Sequence, residues 1–235
     1  MSKDANVYSE SQNPAYTPLH IAVMNCKIET VKTLTDRGAD VHAKDGNGRT
    51  ALHLAIQMRP KDIVQVLVEH GADIRFKTWW NETPLHFAAR AGAKEICKLL
   101  LERRADVDAH SEEGETALHL AIQWEDEDII QILVEHSADV KLKTETGETL
   151  LHFAARAEVK EICKLLLERG VDVDAQTEEG ETALHLAIQQ EHRDIIQIVE
   201  HGADVNLKME GGETPPFCCV SRTSRNLQVV TRKRS

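Results

Sequence analysis

The sequence predicts an all-α solenoid of stacked helix-turn-helix units with β-hairpin-like tips, and three observations predict it. First, His20, His53, His86, His119, His152 and His185 follow one another at a constant interval of 33 residues. Second, each closes a four-residue motif, TPLH (17–20), TALH (50–53), TPLH (83–86), TALH (116–119), TLLH (149–152) and TALH (182–185), and each is followed by an apolar residue and alanine. Third, repeats two, four and six share a text close to LAIQ…DIIQILVEHGAD, while repeats three and five share FAARA…KEICKLLLER, so that two repeats form a super-unit of 66 residues. A period of this length marks a stack in which one helical hairpin buries its apolar face only against its neighbours.

Within one repeat the elements follow in order. Thr83 is a good helix N-cap, accepting from the free amides of the first turn, and Pro84 fits the first helical position, where its missing N–H has no partner. Leu85, Phe87, Ala88 and Ala89 give this first helix an apolar face with small residues that allow close approach. A break at Ala91-Gly92 leads to a second, antiparallel helix carrying Ile96, Cys97, Leu99, Leu100 and Leu101. Glycine just past that helix (Gly38, Gly71, Gly170, Gly202) supplies a left-handed closing residue, and Ala-Asp-Val runs out to an extended tip.

Composition sets outer limits. The 235 residues are 41% hydrophobic and 29% charged, a soluble balance. The start, MSKDANVYSESQNP, lacks the apolar core of a signal peptide, and no run approaches the roughly 18 apolar residues of a membrane span, so an intracellular, cytoplasmic chain is expected, with the nucleus as the alternative. Five cysteines (Cys26, Cys97, Cys163, Cys218, Cys219) with no C-x-x-C pair suggest neither a disulfide framework nor a zinc site. Cys97 and Cys163 stand in identical KEICKLLLER segments and read as small core residues.

TPLHxAA, an apolar second helix and GADV(D/N)A at this period resemble the ankyrin repeat. The resemblance covers residues 12–208 as six repeats: 12–44, 45–77, 78–110, 111–143, 144–176 and 177–208, after a polar N-terminal segment, 1–11. It implies that the six motif histidines are structural, bonding near the helix start and toward the next repeat. The glycine the family usually has between its two helices stands only at Gly92; Cys26, Arg59, Glu125, Glu158 and Glu191 replace it, and Arg104 and Ser137 replace the glycine at the second helix end. Those turns are expected to be strained by about 1 kcal/mol each. Repeat six reads DIIQIVEHGAD where repeat four reads DIIQILVEHSAD, so one apolar residue is missing and the face of its second helix is expected to slip. From 209 to 219 the text is a broken start of a seventh repeat: after Glu213-Thr214-Pro215 it reads Pro-Phe-Cys-Cys, which is what Leu-His-Phe-Ala-Ala gives if written CTC CAT TTT GCT GCx with its first two bases dropped. The basic remainder, 220–235, is then a frame-shifted tail expected to be disordered.

Chemistry finds little support in the residues. Helices in a stack lie about 8–10 Å apart, whereas metal ligands each sit about 2 Å from the ion, so the histidine ladder cannot share a metal. No nucleophile stands beside a fixed base and no phosphate-cradling glycine loop occurs, so neither an enzyme nor a cofactor is expected. Binding remains. The resemblance implies a concave face made of the tips before each TxLH and the exposed last turn of each first helix. In repeat two that face holds Arg49, Gln57 and Met58; in repeat three Trp79, Trp80, Glu82 and Arg90; in repeat four Glu112, Glu113, Glu115, Gln123 and Trp124. Repeat five adds Glu145, Thr146, Glu148 and Arg156, and repeat six Glu178, Glu179 and Glu181.

All three tryptophans fall on this face, an aromatic patch suited to a binding hot spot; the competing role is packing of Trp80 on a neighbouring tip, where Asn81 has replaced the turn glycine. Five of the 28 basic side chains lie in the tail (Arg222, Arg225, Arg232, Lys233, Arg234), leaving 23 against 39 acidic ones, a net of −16. An acidic, aromatic-centred face favours a basic protein segment and argues against nucleic acid. The expected function is therefore a monomeric protein-binding scaffold or adaptor. Its rivals are a targeting fragment of a larger enzyme, channel or ubiquitin-ligase adaptor, and nucleic-acid or nuclear-import contact through the tail.

Overall fold

Each motif threonine is extended and starts a helix, because its own carbonyl enters the helix while its side chain and the histidine three residues on satisfy the free end. In a computed structural model, which describes residues 16–200 together with 202 and 203, this happens six times. The first helices are α1 (Pro18–Met24), α3 (Ala51–Met58), α5 (Pro84–Arg90), α7 (Ala117–Gln123), α9 (Leu150–Arg156) and α11 (Ala183–Gln189). The second helices are α2 (Ile28–Asp36), α4 (Lys61–Glu69), α6 (Lys94–Glu102), α8 (Glu127–Glu135), α10 (Lys160–Glu168) and α12 (Arg193–Glu200).

Two compact units hold them, the described residues up to 139 with α1–α8 and those from 140 with α9–α12. In the first, α1, α3, α5 and α7 pack in succession as one layer, α2, α4, α6 and α8 as another, and each first helix packs on its own second helix. In the second, α9 packs on α11 and α10 on α12 in the same way. The fold is that of an all-α repeat solenoid. Among the described residues, β-type pairing is limited to two isolated antiparallel bridges at the tips, His110 with Thr116 and Lys143 with Thr149.

The two layers bury different amounts. In α5 every residue but Arg90 is buried, since the helix is enclosed by α3, α6 and α7; in α6 only Ile96, Cys97, Leu100 and Leu101 are. Small side chains at Ala88 and Ala89, both fully enclosed, set how closely the first helices approach. Cys97 and Cys163 lie in this core, and burial pushes both thiols up to about 12.

The turns between helices are left-handed where the sequence lacks glycine. Cys26, Arg59, Glu125, Glu158 and Glu191 have φ between 51° and 67°, as does Gly92 at 62°, and Arg104 and Ser137 take the same conformation after the second helices. Gly38, Gly71 and Gly170 take it without strain. Replacing Glu125 by glycine, and separately Arg104, is expected to stabilise the protein by about 0.5–1 kcal/mol each, the strain relieved less the entropy glycine adds to the unfolded chain. Urea midpoints would show this; a lower midpoint for both variants would refute it.

Repeat six corrects an expectation. The apolar face of α12 does not slip: Ile195, Ile196 and Val199 are buried where Ile129, Ile130 and Leu133 are in α8. The missing residue is absorbed toward the C-terminal end, where half-buried Glu200 takes the place of Val134. The physical reason is the packing of α12 on α10 and α11, which fixes the residues that face inward regardless of the shortened text. His201, the broken seventh repeat, Cys218, Cys219 and the basic tail lie outside the described residues, as does the segment 1–15.

Candidate functional site

The tips owe their shape to the buried histidines. Nδ1 of His86 accepts from the Thr83 N–H at 3.1 Å, which leaves the ring proton on Nε2, and Nε2 donates to the Glu115 carbonyl of the next tip at 3.0 Å. His152 does the same between Thr149 (3.1 Å) and Glu181 (3.1 Å), whereas His53, held by Thr50 (3.2 Å), donates to the Phe76 carbonyl (3.2 Å), two residues before the next tip. Desolvation holds His53, His86 and His119 at about 4, so these rings are neutral at pH 7. His20, His152 and His185 are lowered for the same reason. All six are buried.

Each tip is then closed locally. A main-chain bond spans it, from Ser111 N–H to the Glu115 carbonyl at 2.9 Å and equivalently at Asp45, Thr78, Thr144 and Thr177. In four tips the first side chain also accepts from the N–H four residues on: Asp45 from Arg49, Ser111 from Glu115, Thr144 from Glu148 and Thr177 from Glu181. The exception is the tip TWWNE, where the buried Thr78 hydroxyl has no hydrogen-bond partner.

Trp79 and Trp80 turn to opposite neighbours. The Trp79 ring lies on the preceding tip at Gly48, where a Cβ would come within 2.8 Å of it, and Lys44 Nζ sits 4.8 Å from the ring centre. Gly48 is thus required twice, for its φ of 74° and for this contact. Trp80 lines a groove with the following tip, and its carbonyl accepts from the Glu112 N–H at 2.8 Å. Asn81 makes the turn at φ 57° in place of glycine. Both rings remain more than half exposed to solvent or close to it, at 59% and 50%.

The Trp80 groove, about 260 Å³, gathers Glu82, Arg90, Ser111, Glu112, Glu113 and Glu115. Arg90, on the last turn of α5, is ion-paired with Glu82 and lies 5.8 Å from the Phe87 ring centre. The second compact unit holds a groove of about 270 Å³ lined by Thr146, Glu148, Arg156, Thr177, Glu178, Glu179 and Glu181. Arg156 is ion-paired with Glu148, and the Glu178 N–H donates to the Thr146 carbonyl at 2.9 Å. Every lining residue of the second groove stands 66 positions after one of the first.

Other face residues are not gathered there. Arg49 is engaged within its own tip, its Nε 2.8 Å from Asp45 and its Nη2 3.3 Å from the Tyr16 hydroxyl. Gln57, Met58, Gln123 and Glu145 are exposed but line neither groove. Trp124, 60% exposed at the end of α7, is not a lining residue of the Trp80 groove, so the three tryptophans do not share it. Lys44, Ser111 and Thr177 belong to these contacts without having been singled out from the sequence; Lys44 precedes a tip, and only the structure shows it over Trp79. Among the described residues no group of three His, Cys, Asp or Glu converges as a metal site, and no helix is long and apolar enough to cross a membrane.

Comparison with known proteins agrees with this geometry. The family description "Ankyrin repeats (3 copies)" matches residues 2–78, 75–144 and 138–209. Among solved structures, the chain is similar to the ankyrin repeat domain of Bcl-3, a member of the IkappaB protein family, with 30% identity and a TM-score of 0.72 over 85% of this chain and 92% of that one. It is also similar to the human ASB11 ankyrin repeat domain, with 25% identity and a TM-score of 0.74 over 85% and 90%. No curated relative matches. The histidine-capped helices, the tips they hold and these matches place the chain in the ankyrin repeat family, whose repeats are protein–protein interaction modules.

Proposed function

We propose that the chain is a protein-binding scaffold or adaptor without chemistry of its own, whose partner presents a basic segment to the tips and grooves. The observation that carries this reading is the groove pair: each sets four glutamates and one arginine on a rigid frame, and the arginine is already paired with one of the four. A net negative groove attracts a basic segment and speeds its approach, and the half-exposed Trp80 offers it apolar area at little entropic cost. Burial makes the Cys97 and Cys163 thiols poor nucleophiles, and the His86 and His152 rings are bonded at both nitrogens, which supports a non-catalytic role.

Photo-crosslinking tests this. A crosslinking residue placed at Glu113, beside the Trp80 groove, is expected to capture a protein partner from lysate, with capture falling as salt rises. The same residue at exposed Glu95, at the start of α6, is expected not to. Identical captures from both positions, or capture insensitive to salt, would count against the reading.

A further inference from the structure

The two grooves are one construction repeated after 66 residues, so each serves as the control for the other. Glu82 and Arg90 answer to Glu148 and Arg156, and Glu112, Glu113 and Glu115 to Glu178, Glu179 and Glu181. The same main-chain bond joins the walls, at 2.8 Å in the first and 2.9 Å in the second. One wall position differs in kind: Trp80 stands where the second groove has Thr146.

Resting on the reading of these tips as the contact for a basic segment, we infer that the Trp80 groove is a subsite for one arginine side chain of that segment, and that the Thr146 groove is its weaker counterpart. An indole face attracts a cation, and the planar, weakly hydrated guanidinium stacks on it in a way that an ammonium does not. Its fork of donors matches the carboxylates of Glu112 and Glu113, both exposed on the tip across from Trp80. Arg90, the one cation lining the groove, is held by Glu82.

A second observation concerns the tip itself. Asp45, Ser111, Thr144 and Thr177 each close their tips with a side-chain bond, whereas the buried Thr78 hydroxyl, two residues before Trp80, makes none. This tip departs from the closing pattern of the others where it carries the tryptophans. The Trp80 main chain is nonetheless held at the groove wall, because its carbonyl is bonded to the opposite tip.

The test uses the full chain and capped peptides Gly-Gly-Arg-Gly-Gly, Gly-Gly-Lys-Gly-Gly and the citrulline analogue, read by the indole N–H and tip amide signals in NMR titrations. The arginine peptide is expected to move the Trp80 indole and the Glu112 and Glu113 amides saturably, and the Glu178 and Glu179 amides with about tenfold weaker affinity. The lysine peptide should bind the Trp80 groove several-fold more weakly, and the citrulline peptide, planar but neutral, not measurably. Trp80→Thr should bring the first groove down to the second. Thr146→Trp should raise the second about tenfold, a gain that loss of folding cannot imitate. No saturable response at Trp80, equal affinity for lysine and arginine, or no gain from Thr146→Trp would each overturn the subsite. The crosslinking result stands apart from these: capture at Glu113 with no arginine response at Trp80 would keep the module and remove the subsite.

Discussion

Acidification from pH 7.5 to pH 5 is expected to cost the folded protein about 2 kcal/mol for each of His53, His86 and His119, about 6 kcal/mol in all. Burial depresses these three groups to about 4, against an ordinary value of 6.5, so the unfolded chain takes up protons first as the pH falls. Their contribution is therefore intact above about pH 6.5 and is lost progressively from there down to about pH 4. Asp45 and Glu82 act the other way at His53, and Glu82 at His86, but desolvation is the larger cause in each. Protonating His86 at Nδ1 would also remove the acceptor of the Thr83 N–H, setting two donors against each other at 3.1 Å. A loss of this size is comparable to the whole stability of many domains. Urea midpoints measured at pH 7.5 and pH 5 should show it, and equal midpoints would contradict the assignment of neutral, proton-averse rings.

Substituting His86 by alanine is the mutation with the largest expected effect. It strips the acceptor from the Thr83 N–H and the donor from the Glu115 carbonyl, and it empties a site that is 1% exposed. The Thr83 N–H left without its acceptor costs about 1–3 kcal/mol, and the lost bond to the Glu115 carbonyl and the cavity add to that, so a loss of about 3–5 kcal/mol is expected in urea unfolding. The effect should reach beyond α5. The Glu115 carbonyl also closes the next tip by accepting from Ser111, so exchange of the Ser111 amide should accelerate more than that of amides in α2. Loss confined to α5 and α6, with the tip 111–115 protected as before, would mean that the histidine does not hold its neighbour.

Much of the architecture was legible in the residues because it is written locally. Thr83, Pro84 and His86 specify a helix start by short-range bonds, and the residues facing the turns at Cys26, Arg59, Glu125, Glu158 and Glu191 could be placed in left-handed conformations by register alone. The shortened text of repeat six misled, because a missing residue does not say where along a helix it is taken up; packing of Ile195, Ile196 and Val199 decided that. The face was legible as a set of positions but not as sites. Trp79 and Trp80 are adjacent in the chain, yet one lies on the preceding tip and the other lines a groove with the following one. Trp124 looked like a third member of the same patch but is not among that groove's lining residues. Which neighbour a side chain meets depends on the alternation of an extended tip and on contacts from hairpins 33 residues away, and neither is contained in the motif itself.

Each groove has unlike walls, one from an FAAR-type hairpin and one from the ALHLAIQ-type hairpin that follows it. An exchange or deletion of two hairpins at a time therefore transfers whole grooves, walls matched. A slip of a single hairpin would keep the helices in step but set two walls of the same kind against each other. Genetic copying of this gene thus keeps the helices in step at one spacing and the groove walls matched only at twice that spacing.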